Sequence, residues 1–375
     1  MKVFHIITGL NTGGAEMMLY KLIQYSSGEN FQHEVVSLTD IGPVGKKIQQ
    51  LSVSVRALHM RGIDFPIAVL RLALWLRRSK PDIVQTWMYH ADLVGGLAAK
   101  LAFSGAPIVW GIRQTNLHTK LSKRRTRLVA RFSAFLSRWV PEKIICNSYS
   151  GRDVHIKMGY DSKKMVVIPN GFDISRFRLD SEARISVRKE LGVAPDSLLI
   201  GYIARFDPQK DHKIFIEAAR ILNANFKDVH FVLCGRGVNW ENKELVSCIK
   251  RAGLQDRFYL LGERDDIPTI TAALDVASLT SAYGEGFPNV VGEAMASGVP
   301  CVVTDVGDAA EIVGNTGIVT GIGSAKDIAD GWAEFLAVPK QERIQLGQRA
   351  RERIEKHYAL NRIVQEYMSL YNKLL

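Results

Sequence analysis

The sequence has few cysteines and no long uncharged apolar run. Four of its 375 residues are cysteines and none form a CxxC pair, which fits reduced, mostly buried thiols in a cytosolic protein. No apolar stretch reaches the roughly 18 residues that a membrane-spanning helix needs. The first residues, MKVFHIITGL, lack the small-residue cleavage site of a signal peptide. We therefore expect them to form a first strand.

The excess positive charge is confined to the first half of the chain. The net charge is +11; residues 1–175 hold 24 lysines and arginines against 11 acidic residues, whereas residues 176–375 hold 25 against 27. A basic surface of this kind is typical of proteins that meet an anionic partner, here a membrane, an acidic saccharide or a nucleic acid. The alternative is a basic surface that is merely solvated.

Short apolar strands alternate with longer helical patterns, as in parallel βαβ units whose sheets are covered on both faces. The predicted strands are residues 2–7, 33–38, 82–87, 107–112, 143–148 and 164–169, then 198–205, 229–235, 257–262, 275–280 and 300–305. Helices are predicted from about Ala15 to Tyr25 and from about Lys340 onward. PNGFDISRF (169–177), with Pro, Asn-Gly and Asp, is the expected linker. The sequence thus predicts an α/β fold with two doubly wound parallel sheets.

Two short segments follow predicted strands and carry residues suited to phosphate. TGLNTGGAE (8–16) has glycines that let backbone N–H groups approach an anion at a helix N-terminus, although a plain tight turn fits equally well. GYIARFDPQKDH (201–212) places Arg205 at a strand end and Lys210 five residues later. Such a pair can hold a diphosphate, and a solvated loop is the alternative.

The segment SAYGEGFPNVVGEAMASGVP (281–300) is more specific. Glu285 lies on a loop of small residues, where it can accept hydrogen bonds from sugar hydroxyls. Glu293 lies on the predicted helix that follows, where a carboxylate can hold a ribose diol. Two carboxylates with different neighbours can perform different tasks.

Four motifs in order resemble the retaining glycosyltransferases of family 4, whose GT-B fold has two Rossmann-like domains facing across a cleft. They are GGAE (13–16), VIPNGFD (167–173), ARFDPQK (204–210) and EGFPNVVGEAMASGVP (285–300), and GDAAEIV (307–313) fits the stretch that follows. The resemblance covers almost the whole chain. It implies an acceptor-binding domain over residues 1–172, a nucleotide-sugar-binding domain over 173–355, and a C-terminal helix at about 356–375 that packs back on the first domain.

The resemblance also implies roles for individual residues. Arg205 and Lys210 would neutralise the leaving diphosphate, Glu293 would bind the ribose, and Glu285 would touch the transferred hexose. The remaining donor contacts are expected from Gly13 and Gly14 at the diphosphate, from Arg264 at the base, and from backbone N–H groups at Gly286, Phe287, Asn289 and Val290.

One departure from the family concerns the N-terminal domain. Many members carry a histidine after the strand that PIVWGI (107–112) resembles, whereas this chain has RQTN (113–116) there. Arg113 or Gln114 are candidates for its role, as is His90 in TWMYHADL; His118 is a poorer one.

The resemblance implies that no metal and no cofactor is needed. No DxD motif lies at a suitable strand end, and Asp265 and Asp266 are interpreted as a helix cap. Two cationic side chains and a helix dipole would stabilise the charge on the leaving phosphate. The resemblance further implies same-face attack, in which the departing phosphate takes the acceptor proton.

TKLSKRRTRLVARFSAFLSRWV (119–140) has the pattern of a basic amphipathic helix, and such helices often lie on anionic bilayers. Its apolar stripe comprises Leu121, Leu128, Phe132, Phe135, Leu136 and Trp139, and its basic cluster comprises Lys120, Lys123, Arg124, Arg125, Arg127 and Arg131. The alternative is a stripe packed on the sheet with solvated basic residues. We expect the stripe to lie mostly in the core and the cluster to face lipid headgroups or an anionic lipid-linked acceptor.

The predicted function is transfer of a hexose or N-acetylhexosamine from a nucleotide-sugar to a lipid-linked saccharide in cell-surface polysaccharide or glycan biosynthesis. UDP is the expected nucleotide, with GDP as the alternative. The expected location is the cytoplasmic face of an anionic membrane, with peripheral attachment. A nucleotide-sugar epimerase would need acid and base groups that we do not find. A nucleic-acid-binding protein would need stacking, zinc-finger or helix-turn-helix motifs that the sequence lacks, so no nucleic-acid partner is expected.

Overall fold

The computed structural model describes residues 1–26, 31–61, 64–115 and 124–375. The chain forms two compact units. Unit 1 comprises Met1–Gly171 and Leu360–Leu375, and unit 2 comprises Phe172–Ala359. The chain passes from unit 1 to unit 2 within the predicted linker segment and returns to unit 1 after Ala359.

Unit 1 is built on a seven-stranded parallel sheet with the strand order β3-β2-β1-β4-β5-β6-β7. The central strands are buried on both faces along their whole length, including the polar residues Gln85 and Thr86. The strands are β1 Lys2–Ile7, β2 Gln32–Ser37, β3 Ser54–Ala57, β4 Ile83–Trp87, β5 Ile108–Ile112, β6 Lys143–Cys146 and β7 Met165–Val167. The helices before the linker are α1 Gly14–Ser26, α2 Gly42–Gln50, α3 Phe65–Ser79, α4 Tyr89–Ala102, α5 Arg124–Leu136 and α6 Tyr149–Met158.

Unit 2 repeats the architecture with a six-stranded parallel sheet in the order β10-β9-β8-β11-β12-β13. Its strands are β8 Leu198–Ile203, β9 Val229–Cys234, β10 Phe258–Leu260, β11 Val276–Leu279, β12 Cys301–Thr304 and β13 Ile318–Thr320. Its helices are α7 Ser181–Glu190, α8 His212–Leu222, α9 Lys243–Ala252, α10 Ile267–Ala272, α11 Asn289–Ala296, α12 Ala309–Val313, α13 Ala325–Ala337 and α14 Lys340–His357. The last helix, α15 Leu360–Leu374, belongs to unit 1. The predicted α/β fold with two doubly wound sheets is confirmed.

The C-terminal region differs from the prediction of one continuous helix. The helical pattern is broken at Tyr358 and Ala359, because the backbone there pairs with Phe172. The Phe172 N–H donates to the Tyr358 carbonyl over 2.9 Å. The break lets α14 pack in unit 2 and α15 in unit 1, where Tyr367 and Tyr371 are buried against the sheet.

The apolar stripe of α5 also differs from the prediction. Leu128, Phe132, Phe135 and Trp139 are 65%, 51%, 59% and 57% exposed, and Leu136 is half-buried. The face of the segment that turns inward carries small residues instead, namely Ala130, Ser133, Ala134 and Ser137. Small side chains allow α5 to approach α4 closely, and the large apolar side chains are left outside. Leu121, Lys120 and Lys123 lie outside the described residues.

A buried pair of histidines links β1 to β2. His5 Nε2 and His33 Nδ1 lie 3.0 Å apart, and Trp87 Nε1 donates to His5 Nδ1 over 3.3 Å. Burial lowers the pKa of His5 well below its ordinary value and that of His33 to about 4. The folded state therefore holds both imidazoles neutral down to acidic pH.

We expect His33 to make the protein sensitive to acid. Its folded pKa lies below its unfolded value of 6.5, so its contribution is fully present above pH 6.5 and is lost as the pH falls towards 4. At pH 5 the unfolded chain gains roughly 2 kcal/mol from protonating this one imidazole. The free-energy difference between wild type and His33→Asn, measured by urea unfolding, should shift by that amount between pH 7 and 5. The exposed His59 replaced by Gln is the control; an equal shift in both variants would contradict the assignment.

Candidate active site

In unit 2, Arg205 and Lys210 follow β8 at the carboxyl edge of the sheet. Arg205 lies two residues beyond the strand, and Lys210 ends a single helical turn, Pro208–Lys210. The Asp207 side chain caps that turn by accepting from the Gln209 N–H over 2.9 Å, and it also accepts from Arg205 Nε over 3.2 Å. The Asp-Pro-Gln-Lys sequence therefore places both cations at one strand end.

Lys210 and Glu285 meet in a largely buried ion pair. Lys210 Nζ contacts Glu285 Oε1, and the two side chains are 13% and 10% exposed. Ser281 Oγ donates to the same carboxylate oxygen over 2.7 Å. The Tyr202 hydroxyl donates to the Lys210 carbonyl over 2.8 Å. The pair is therefore held from both sides by neighbouring strand ends.

The glycine-rich loop that carries Glu285 is anchored by the loop after β12. Gly307 has φ +60°, and a β-carbon there would lie 2.6 Å from the carbonyl oxygens of Glu285 and Gly286. The Asp308 N–H donates to the Gly286 carbonyl over 2.9 Å. Only glycine fits both the backbone conformation and the close approach. Gly307 and Asp308 begin the motif GDAAEIV (307–313), to which the sequence analysis assigned no role.

Phe287 and Glu293 differ in what surrounds them. Phe287 is buried and its ring stacks on Phe172 with centroids 5.9 Å apart, so its side chain anchors the loop and only its backbone is available to a ligand. Asn289 opens α11, Val290 follows it, and Glu293 is half-buried one turn further along that helix. The predicted placement of Glu285 on a loop and Glu293 on the next helix therefore holds.

Arg264 is engaged by two carboxylates. It donates to Asp266 over 2.8 Å from both Nε and Nη2, and to Glu190 over 2.7 Å from Nη1. These hydrogen bonds raise the pKa of Arg264 and keep it charged. Asp266 occupies the N-cap position of α10, as predicted, but its side chain makes no capping hydrogen bond there and holds Arg264 instead.

In unit 1, Gly13 and Gly14 lie at the start of α1, directly after the loop that follows β1. A β-carbon at Gly13 would lie 2.5 Å from Glu16 Oε2, so this carboxylate lies directly over the turn. Burial raises the pKa of Glu16. An anion that approaches Gly13 would therefore lie next to the Glu16 carboxyl group.

Arg113 lies just beyond β5 and is fixed by aromatic and polar neighbours. Its guanidinium lies 4.5 Å from the centre of the Trp87 ring, donates to Asn170 Oδ1 over 3.0 Å and contacts the Tyr367 hydroxyl. A cation over an indole face is stabilised by the ring quadrupole. Three segments distant in sequence thus hold one cation at the carboxyl edge of this sheet.

The other candidates for the family histidine have different surroundings. His90 lies in the first turn of α4, half-buried, and burial lowers its pKa. Gln114 accepts through its backbone carbonyl from the Tyr89 hydroxyl over 3.4 Å. His118 lies outside the described residues.

Asp92 is a buried carboxyl group that sequence reasoning missed. Its Oδ1 accepts from Thr86 Oγ1 over 2.5 Å and from the Gly111 N–H over 3.2 Å. Burial raises its pKa to about 8. The group ties the first turn of α4 to the ends of β4 and β5, close to Arg113. No sequence signal distinguishes it from an ordinary helix-start aspartate.

Family models match both halves of the chain. The model described as Glycosyltransferase Family 4 matches residues 12–176, and the model described as Glycosyl transferases group 1 matches residues 184–353. The chain belongs to the family 4 glycosyltransferases. The first model covers most of unit 1 of this glycosyltransferase and extends to residue 176, and the second lies within unit 2.

Two relatives of similar sequence are named as glycosyltransferases. The UDP-Gal:alpha-D-GlcNAc-diphosphoundecaprenol alpha-1,3-galactosyltransferase of Escherichia coli is 31% identical over 247 residues, which is 64% of this chain and 62% of that protein. The putative glycosyltransferase EpsF of Bacillus subtilis is 27% identical over 344 residues, or 90% and 87% of the two chains. The matched region thus spans less than two thirds of the E. coli protein and most of EpsF.

Solved structures share the fold of this glycosyltransferase. Anabaena HepE in complex with UDP has a TM-score of 0.88 at 24% identity, with both chains covered completely. The sucrose-phosphate synthase of Thermosynechococcus elongatus has a TM-score of 0.81 at 17% identity, covering 100% of this chain and 99% of that one. At these identities the likeness shows the fold alone, which is GT-B.

Within the described ranges, every helix is too short or too polar to cross a membrane.

Proposed function

We propose that this glycosyltransferase moves a hexose or N-acetylhexosamine from a UDP-sugar to a saccharide carried on a lipid, with retention of configuration. The observation that carries the proposal is the ion pair of Lys210 with Glu285 at the carboxyl edge of the unit 2 sheet. It places a cation suited to a diphosphate beside a carboxylate suited to sugar hydroxyls. Ligands of such sheets bind at this edge.

Two names among the similar proteins support the choice of donor and acceptor. HepE was solved with UDP, with UDP and glucose, and with UDP-glucose. The E. coli relative is named for a UDP-galactose donor and a diphosphoundecaprenol-linked acceptor. We extend both to this chain, so that the donor is a UDP-sugar and the acceptor is a saccharide on a polyprenyl diphosphate.

The reaction proceeds through charge stabilisation at the leaving group. Arg205 and Lys210 bind the diphosphate, where negative charge grows as the bond from the anomeric carbon to the phosphate oxygen breaks. The acceptor hydroxyl attacks from the same face and passes its proton to the departing phosphate. Glu285 orients the hexose, and Glu293 holds the ribose of the nucleotide.

No metal ion takes part in this proposal, because the two cationic side chains supply the positive charge. We expect turnover of the donor to be unchanged by excess EDTA and by added Mg²⁺ or Mn²⁺. Initial rates measured under the three conditions check this. A loss of turnover in EDTA that Mg²⁺ restores would assign the charge stabilisation to a metal.

A screen of nucleotide-sugars by thermal stabilisation tests the donor. A ligand present at 100 times its dissociation constant stabilises the folded state by about 2.7 kcal/mol, which raises the melting temperature by a readily measured amount. We expect UDP and UDP-sugars to stabilise the protein and GDP-sugars to have no effect. Stabilisation by GDP-sugars alone would change the donor, and no stabilisation by either would remove the proposed function.

Glu293→Gln and Glu285→Gln should differ in what they impair. The amide at position 293 accepts more weakly from the ribose diol, so UDP should bind about ten-fold more weakly. The amide at position 285 contacts the sugar that reacts, so UDP affinity should hold while transfer slows. Calorimetric titration of UDP and initial rates separate the two. Exposed Glu334→Gln is the control, and unchanged UDP affinity in Glu293→Gln would contradict the division.

A further inference from the structure

Unit 1 contains an apolar pocket that the donor chemistry does not use. Its volume is about 660 Å³. Six apolar side chains line it: Met60, Phe65, Leu93, Val94, Leu128 and Val129. The polar lining consists of Arg61, Arg125 and His90. A hydrocarbon surface with two guanidinium groups beside it suits a ligand that is apolar along its length and anionic at one end.

The pocket is formed by the beginnings of three helices. Phe65 begins α3, His90 to Val94 lie in the first turns of α4, and Arg125 to Val129 lie in the first turns of α5. Each of these helices follows a parallel strand, so their first turns lie at the carboxyl edge of the sheet. Gly13 and Arg113 lie at the same edge. A ligand in the pocket is therefore placed on the side of unit 1 where an acceptor is expected.

The surroundings of the pocket are positively charged. The sequence has no acidic residue between Asp64 and Asp82, and none between Asp92 and Glu142. Asp64, at the start of α3, accepts from the backbone N–H of Arg61 over 3.1 Å, and the carboxyl of Asp92 is buried with a raised pKa. Arg131 on α5 is exposed beyond the lining residues. An anionic group at the pocket is attracted by this field.

We infer that the pocket binds the polyprenyl diphosphate of the acceptor, with the first isoprenyl units among the apolar side chains and the diphosphate at Arg61 and Arg125. The inference rests on the proposed function and assigns the lipid part of its acceptor a site. A diphosphate carries at least two negative charges, which matches two guanidinium groups. Arginine suits phosphate oxygens because its planar fork donates two parallel hydrogen bonds.

This assignment also gives His90 a role as a positioning residue. It lies in the pocket with Leu93 and Val94, so it contacts the acceptor lipid and not the sugar that reacts. Its low pKa keeps the imidazole neutral near pH 7, which suits an apolar neighbour. Acceptor binding thus explains the histidine at position 90.

Titration of the full-length protein with farnesyl diphosphate tests the inference. UDP is kept in excess so that the donor site is occupied, and inorganic diphosphate and a short-chain phosphatidic acid are titrated in parallel. We expect farnesyl diphosphate to bind more tightly than either. Arg125→Ser and Leu128→Gln should each weaken its binding by about ten-fold, since one loses a charged hydrogen bond and the other an apolar contact. Both residues are exposed enough for the variants to fold.

Matched controls lie on the same helix. Arg124→Ser removes an equivalent charge next to Arg125, and Phe132→Gln removes an exposed apolar side chain one turn from Leu128; neither residue lines the pocket. Each should change the affinity by less than about two-fold. Equal affinity in all four variants and wild type, or phosphatidic acid binding as tightly as farnesyl diphosphate, would overturn the inference. UDP binding measured in the same samples shows separately whether the donor function stands.

Discussion

Lys210→Ala is expected to lower the rate of sugar transfer by about 100- to 1,000-fold, the usual cost of removing one group that stabilises charge in a transition state. In the proposed mechanism the positive charge of Lys210 acts on the leaving diphosphate, whose charge is larger in the transition state than in the bound donor. The loss should therefore fall on kcat more than on KM. Steady-state rates with a UDP-sugar and acceptor measure the two separately.

The Lys210→Ala variant needs a control for folding stability, because Lys210 forms an ion pair with Glu285. Removing Lys210 leaves a largely buried carboxylate without its cation, which destabilises the folded state. The double variant Lys210→Ala with Glu285→Gln removes that unpaired charge, so its melting temperature should recover while its turnover does not. Lys213→Ala breaks the exposed ion pair with Glu244 on neighbouring helices and should leave turnover unchanged. Turnover like that of wild type in Lys210→Ala would remove Lys210 from the mechanism.

Arg205 should show a related but separable effect. Its side chain is 46% exposed and held by Asp207, so Arg205→Ala leaves no buried charge behind. We expect a comparable fall in kcat with little change in melting temperature. The contrast between the two variants distinguishes loss of the phosphate contact from loss of packing around Glu285.

The central strands could be predicted from sequence because both faces of a parallel sheet are buried. The strands β1, β4 and β8 consist mainly of apolar residues and were predicted to within about two residues, the usual disagreement at element ends. The edge strands β3 and β13 were not predicted. They are four and three residues long, and each has an exposed residue in its interior or at an end. Short half-exposed strands lack the apolar run that the prediction depends on.

The geometry of the donor site was only partly predictable. Motif and spacing placed Lys210 and Glu285 on neighbouring strand ends, but they are 75 residues apart and nothing local indicates that they pair. The support of the Glu285 loop by Gly307 is likewise a contact between loops that follow different strands. Such contacts depend on the strand order, which local sequence does not determine.

The exposure of α5 shows where periodicity misleads. The large apolar residues repeat at helical spacing, and this pattern usually marks the face packed on the core. Here the small residues Ala130, Ser133 and Ala134 face inward. Hydrophobicity alone therefore selected the wrong face, because the face of α5 that packs inward consists of small residues. An exposed apolar stripe flanked by arginines strengthens the interpretation that this helix meets a membrane.

Replacing Arg124, Arg127, Arg131 and Arg138 with Ser should weaken binding to anionic vesicles by about 1,000-fold. Each cation close to an anionic leaflet contributes on the order of 1 kcal/mol, so four contribute about 4 kcal/mol. Vesicles with and without phosphatidylserine, sedimented with the protein, measure the effect. Replacing Lys189, Lys227, Lys243 and Lys250, which are exposed on unit 2, removes the same net charge from elsewhere and should leave binding unchanged.

The apolar stripe provides an independent arm of the same experiment. Phe135 and Trp139 lie in edge contact, with ring centroids 4.9 Å apart, and together offer an apolar surface to the acyl region. Phe135→Ser with Trp139→Ser should weaken binding to vesicles with and without phosphatidylserine alike, because its effect does not depend on charge. Salt should weaken wild-type binding only to the anionic vesicles, since the attraction is screened over about 8–10 Å. If neither set of substitutions nor salt changes vesicle binding, α5 does not attach the enzyme to a membrane, and a free saccharide becomes the better acceptor.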